Sequence, residues 1–342
     1  MDKNKLTYFI TGGGGYLGTV LVPILLNSGH SVKVLDRFFW GKEIFSTFEN
    51  NNLELIEADS RTYPASHLTG VDIVIDLAAL SNDPIGELNT ERTLEINHRA
   101  RVRTATLSKQ AGVKKYILAS SCSVYGFRDE LLTEQSSLAP VTTYAKASML
   151  AEQGVLELAD ENFCVTALRQ GTLYGISPRM RFDLVLNTMV HSIFKNNLIS
   201  VQGGQQWRPI LHVEDSARAF ILISELDQQL ALEKINKQVF NVGSNEQNFQ
   251  MQTLAKLIVD AVKPDAKIIT QDVQTDFRSY KVSFDKINQQ LNYSTKITPQ
   301  QAAQDIYSAL QKNLITDSIN TKTIDWYKHL LDTNPKILDP LT

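Results

Sequence analysis

Two cysteines in 342 residues cannot form a disulfide framework, and neither Cys122 nor Cys164 sits in a CxxC or paired-histidine spacing that would hold zinc. Both read as buried thiols. Basic runs are missing as well: 34 lysines and arginines stand against 37 acidic residues, a formal charge of −3. Without a dense positive stripe, nucleic acid is not an expected partner. Long apolar runs are absent. The longest, Tyr16 to Leu26, is broken by Gly18 and Pro23 and is too short to cross a bilayer. Glycines rather than basic residues precede it, so neither a membrane span nor a secretory leader is expected, and the chain is expected in the cytoplasm. The six histidines form no cluster at ligand spacing, so no metal is expected.

What is present is the composition of a globular protein, 43% hydrophobic and 21% charged. Short apolar strands are expected at 6–11, 31–35, 53–58, 72–77, 115–119 and 164–168, with helices between several of them, the longest over about 88–111 and 144–160. Continuous apolar strands alternating with helices predict an α/β fold, a doubly wound parallel sheet covered on both faces. After Gly171 the strands shorten, and a smaller lobe is expected, with helices near 181–195 and 214–226 and a terminal helix suggested by Trp326, Tyr327, Leu330 and Leu331.

The cluster Thr11-Gly12-Gly13-Gly14-Gly15-Tyr16-Leu17-Gly18 follows a strand, opens a helix and is followed by a second strand ending in Asp36. That context makes it a dinucleotide-binding turn. Missing side chains at Gly12, Gly15 and Gly18 let backbone approach a pyrophosphate, and the helix N-terminus supplies partial positive charge. Asp36 would accept hydrogen bonds from a ribose diol and repel a 2′-phosphate, favouring NAD over NADP. Arg37 beside it weakens that preference, since a guanidinium could hold such a phosphate. Asp59 and Ser60 close the third strand, and Leu77, Ala78 and Ala79 close the fourth, at the edge where open α/β sheets bind ligands. Asp59 could receive an adenine amino group.

TGxxGxxG, DLAA, SSCSVYG, a tyrosine opening the next helix, LRQGTLYG and WRPILHVEDSARA occur in this order. Together they resemble the extended short-chain dehydrogenase/reductases over about residues 6–310, closest to the nucleotide-sugar epimerase/dehydratase group. The resemblance implies a Rossmann-like NAD-binding domain over 1–171, with a return strand near 239–242, and a mainly substrate-binding lobe over 172–342 interleaved with it. It implies a nucleotide-diphosphate sugar as substrate, hydride transfer at a sugar carbinol, C4 foremost, and a homodimer paired through the two long helices. Tyr144 would be the acid/base and would also contact the cofactor, with Ser121 holding the reacting hydroxyl. Ser81, Cys122, Ser123 and Asn187 would lie along the substrate, and Arg208 and Arg278 would hold its diphosphate. Ser177-Pro178-Arg179-Met180-Arg181 lies where the family contacts substrate, although these arginines could equally cap or solvate a helix.

Two positions depart from the pattern. The dehydratases carry Asp-Glu after the catalytic Ser or Thr, whereas Cys122-Ser123 stand here, which disfavours elimination of water. Where YxxxK requires lysine, this chain has Ser148. Four residues turn a helix by about 400°, so Ser148 faces as Tyr144 does, while Lys146 points away. Ser148 motivates the alternative of an NAD(P)-binding sensor without turnover.

Overall fold

The computed structural model describes residues 5–46, 52–271 and 279–341. Seven parallel strands form its central sheet, in the order Gln238–Val242, Cys164–Gln170, Lys115–Ser121, Ile73–Asp76, Thr7–Thr11, Ser31–Asp36 and Leu53–Glu57. Alternation along the first strand explains the two covered faces. Tyr8 and Ile10 pack with Leu21, Leu25 and Phe220 of helices Gly18–Asn27 and Val213–Ser224. Phe9 faces the opposite side, with Ala105, Ala151 and Val155 of helices Ala100–Gln110 and Thr143–Leu156. The strand order reverses between Thr7–Thr11 and Ile73–Asp76, so the carboxyl ends of these two strands border the crevice where an open α/β sheet takes its ligand.

A second, smaller core is built on Leu186, Val190, Leu254, Ile258 and Ile306. Helices Val185–Asn196, Met251–Val262 and Pro299–Gln311 surround it. A three-stranded sheet, Thr172–Tyr174, Trp207–His212 and Asn248–Gln250, connects it to the first. The connection is interleaved. Strand Gln238–Val242 returns to the main sheet beside Cys164–Gln170, and the terminal helix Thr323–Thr333 packs Tyr327 against Leu80 and Ile85 of the first half.

The single helix expected over 88–111 is three pieces. Thr90–Leu94 and Ala100–Gln110 are α-helical, and Glu95–Arg99 between them is a π turn. The wider turn carries Asn97, whose amide side chain accepts from Leu80 N at 2.8 Å and donates to Leu80 O at 3.1 Å, pinning the loop that leaves the fourth strand.

Candidate active site

The glycine turn presses directly on the strand ends. Gly12 has φ +68°, and a Cβ there would stand 2.7 Å from both Ala78 N and Ala78 Cα; at Gly18 it would meet the Gly13 carbonyl oxygen at 2.4 Å. Only glycine fits either position. No side chain caps the helix that begins at Gly18, and its first turn holds no acid. Asp36 ties the turn from the neighbouring strand: Oδ2 accepts from Gly14 N at 2.9 Å and Oδ1 from Phe38 N at 2.8 Å. Burial pushes its carboxyl above the ordinary range, against these N–H groups.

Around this turn lies a cavity of about 600 Å³. Gly12, Gly15, Tyr16, Leu17, Gly18, Asp36, Arg37, Asp59, Ser60, Leu77, Ala78 and Ala79 line it, as do Ser81, Ser121, Ser123, Tyr144 and Arg208. Thus residues spread over two hundred positions face one space. With the diol partner at Asp36 removed, Asp36→Ala protein is expected to bind NAD about tenfold or more weakly with little change for NADP, measured by titration calorimetry. Equal losses for both would remove Asp36 from the ribose contact.

Arg37 and Asp59 have partners that short-range reading does not reveal. Arg37 Nη1 donates to Asp59 Oδ2 at 2.7 Å, and Arg61 Nη2 meets the same oxygen at 2.6 Å. The two arginines also reach the chain's C-terminal end. Arg37 donates to the carbonyls of Ile337 (2.8 Å) and Asp339 (3.0 Å), and Arg61 to that of Leu338 (2.9 Å). Arg92 Nη2 adds an ion pair to Asp339 Oδ1 at 2.6 Å, and Leu338 itself lines the cavity. Arg37 is therefore turned to Asp59 and the C-terminal strap instead of standing ready for a 2′-phosphate, and the Asp59 carboxylate answers two guanidiniums before any adenine. Deletion of residues 335–342 should weaken NAD about tenfold and narrow its advantage over NADP, because Arg37 loses two of its partners; calorimetric affinities for both nucleotides check it. Unchanged affinities would show that the strap only covers the fold.

Arg179 is the group that most plainly asks for an anion. Its guanidinium lies 3.9 Å from the Trp40 ring centroid, and Nη2 donates to Thr323 Oγ1 at 3.0 Å. Nε and Nη1 are buried without a hydrogen-bond partner among the described residues. Burial, then the neighbouring Arg181, pushes its pKa down to about 9. A cation with orphaned donors beside Asp36 and the glycine turn fits a dinucleotide's pyrophosphate, which would satisfy the donors and favour the charged form.

At the other end of the cavity, Ser121 closes strand Lys115–Ser121, its Oγ accepting from Ser123 N at 3.2 Å. Tyr144 sits in the first turn of a helix capped by Thr142, whose side chain accepts from Ala145 N at 3.2 Å. Arg181 also lines the cavity, bound to Asp183 through Nε (3.1 Å) and Nη2 (2.6 Å) and to Ser81 through Nη1. Ser148 is buried beneath Tyr144, its hydroxyl turned back to the Tyr144 carbonyl at 3.0 Å, and Lys146 is exposed on the other side of the helix.

Two expected residues stand away from the cavity wall. Cys122 is buried, its thiol bonded to the Arg169 carbonyl and pushed up by burial, so it is part of the core. Asn187 is a buried strut, accepting from Gly175 N at 3.0 Å and donating to Arg181 O at 2.9 Å. Each carries a backbone carbonyl or amide as its partner in place of a ligand. Arg208 lies over the Tyr280 ring at 5.3 Å, and Arg278 falls outside the described residues. Arg101, Asp183, Tyr327 and Leu338 line the cavity without having stood out in sequence. Tyr327 was visible only as an apolar position of the terminal helix.

The model of the NAD dependent epimerase/dehydratase family matches residues 8–243. The chain belongs to this family. That membership agrees with NAD as the expected cofactor and with the seven-stranded parallel sheet. UDP-glucuronic acid decarboxylase 1 of Arabidopsis thaliana is 25% identical over 330 residues, which cover 93% of this chain and 72% of the plant protein. Among solved structures, the UDP-N-acetylglucosamine 4-epimerase of Methanobrevibacter ruminantium, in complex with UDP-N-acetylmuramic acid, superposes with a TM-score of 0.80 at 22% identity, covering 90% of this chain and 99% of the other. MoeE5 in complex with UDP-glucuronic acid and NAD gives a TM-score of 0.77 at 22% identity, covering 90% and 99%. At these identities the solved structures speak for the fold.

Proposed function

We propose that the protein is an NAD-dependent enzyme of nucleotide-diphosphate sugars that oxidises a ring carbinol, C4 foremost, and returns the hydride as an epimerase or a related oxidoreductase does. The observation carrying this reading is that Ser121 and Tyr144 share one cavity with the glycine turn and Asp36. NAD, when bound, supplies the hydride acceptor. The glycine turn and Arg179 would hold its pyrophosphate and Asp36 its ribose. Ser121 Oγ orients the sugar hydroxyl, and the Tyr144 phenol takes its proton as hydride leaves carbon. Arg208 would hold the sugar's diphosphate as a planar fork, fixing the nucleotide while the sugar is free to turn. The buried Cys122, standing where an eliminating acid would be needed, argues against dehydration.

UDP-glucuronic acid is the first substrate to offer, because it appears in the names of the plant relative and of the MoeE5 complex. The test incubates NAD-loaded protein with UDP-glucuronic acid, UDP-glucose and UDP-N-acetylglucosamine and identifies products by NMR. An isomer without net NADH supports the epimerase, loss of carboxylate points to the decarboxylase chemistry named for the plant relative, and accumulating NADH supports a dehydrogenase. Binding of NAD and sugar without product favours the sensor. The reading also carries a cytoplasmic homodimer paired through helices Ala100–Gln110 and Thr143–Leu156, which light scattering checks.

A further inference from the structure

We propose that Arg101 replaces the lysine missing at position 148, delivering from the neighbouring helix the cation that serves the nicotinamide ribose. The proposal rests on the NAD-dependent reading above.

Helical spacing puts Tyr144, Ser148 and Glu152 on one face of helix Thr143–Leu156. The Ser120 hydroxyl donates to Glu152, so this face lies against the carboxyl end of strand Lys115–Ser121. Ser148 is short, and its hydroxyl is spent on the Tyr144 carbonyl; it sends no donor into the cavity. Arg101 comes to the same strand end from helix Ala100–Gln110, on the same face of the sheet. Its Nη1 donates to the Ala119 carbonyl at 2.9 Å, one residue before Ser120, and its Nε donates to the Ala78 carbonyl at 3.0 Å. The guanidinium therefore bridges strand Lys115–Ser121 and the segment just past strand Ile73–Asp76, and it lines the cavity that Ser121 and Tyr144 also line.

The two helices pack closely. A Cβ at Gly154 of one would stand 2.6 Å from Val102 of the other, so the absence of a side chain there lets the helix bearing Arg101 come close. The π turn Glu95–Arg99 immediately precedes Arg101.

Chemistry separates Arg101 from the other nearby cation. Arg181 is locked to Asp183 by two hydrogen bonds, a pair with little net charge to offer. Arg101 is held more loosely: its buried ion-pair partner Asp76 has Oδ1 4.0 Å from Nε, beyond hydrogen-bond distance, and that oxygen accepts from Thr11 Oγ1. Two of its nitrogens are fixed by carbonyls, which orients the planar fork, and Nη2 has no hydrogen-bond partner among the described residues. Such a donor suits a ribose hydroxyl.

The test uses the full-length protein freed of cofactor, with NAD affinity read by calorimetry and melting followed alongside. Arg101→Met is expected to bind NAD about tenfold or more weakly. In Arg101→Met/Ser148→Lys the affinity should move back toward wild type, because the lysine returns the charge from the Tyr144 helix. Arg101→Met that binds NAD as wild type does overturns the proposal. So does a loss that Ser148→Lys fails to restore in a double variant melting like Arg101→Met, because Arg101 is then a brace for the strand ends. Wild-type protein that binds no NAD sinks the functional reading itself, which keeps the two failures apart.

Discussion

Replacing Tyr144 by phenylalanine lowers turnover about a hundred- to ten-thousandfold and leaves NAD and nucleotide-sugar affinity within a few-fold of wild type. The ring stays where it is, because the start of the Tyr144 helix is held by the Thr142 cap and by close packing of Gly86, where a Cβ would come within 3.1 Å of Tyr144 Cβ. Only the phenol oxygen is lost, and with it the acceptor for the carbinol proton. Steady-state rates and calorimetry on the same preparation check the split between rate and binding. A Tyr144→Phe enzyme with full turnover would move the acid/base elsewhere.

Arg169→Met should cost about 3–5 kcal/mol of stability, the largest structural effect expected of a single substitution here. Arg169 Nη2 meets Glu152 Oε2 at 2.6 Å and Nε meets Oε1 at 3.0 Å, with both side chains at or below 5% exposure. Its Nη1 donates to the Tyr125 hydroxyl at 3.0 Å, which donates in turn to Asn241 Oδ1 at 2.7 Å, and Ser120 donates to Glu152. The network thus joins three adjacent strands to the Tyr144 helix. Removing the arginine leaves the Glu152 carboxylate buried and uncompensated, whereas Glu152→Leu/Arg169→Met removes both charges and should recover part of the loss. Urea denaturation midpoints measure both. Wild-type stability in Arg169→Met would mean that Glu152 is satisfied without it.

The glycine turn and Asp36 were readable in sequence because each depends on its neighbours in the chain, a turn between a strand and a helix and an acid closing the next strand, whereas Ser121 and Tyr144 were named by the resemblance and are brought by the fold to the same cavity. Equally readable was the continuous apolar run through Tyr8, Phe9 and Ile10, which predicts a sheet covered on both faces. Arg37 and Asp59 were less readable, since what decides their roles is a strap of carbonyls about three hundred residues away. Arg179 and Arg181 stood in the sequence as open alternatives between ligand contact and helix solvation; burial against Trp40 and Asp183 distinguishes them, and burial is a property of the packed lobes. Cys122 and Asn187 were expected along the substrate from the resemblance, yet the Cys122 thiol is bonded to a backbone carbonyl, and Asn187 is bonded to backbone groups and to the Tyr16 hydroxyl. The π turn at Glu95–Arg99 has no glycine or proline to announce it. Arg101, just beyond it, looks like any surface arginine of a mixed-charge helix until its two carbonyl partners are seen.

Stopped-flow absorbance in the NADH band, on NAD-loaded protein mixed with UDP-glucuronic acid and with UDP-glucose, tests hydride transfer at Ser121 and Tyr144 most directly. With wild type the band is predicted to rise with at least one of these sugars, transiently if the hydride returns and lastingly if it does not, and Tyr144→Phe protein should show no rise over the same interval. Wild type that holds NAD and binds the sugar by calorimetry, yet gives no NADH absorbance and returns the sugar unaltered, would contradict catalysis and leave a protein that only binds the cofactor.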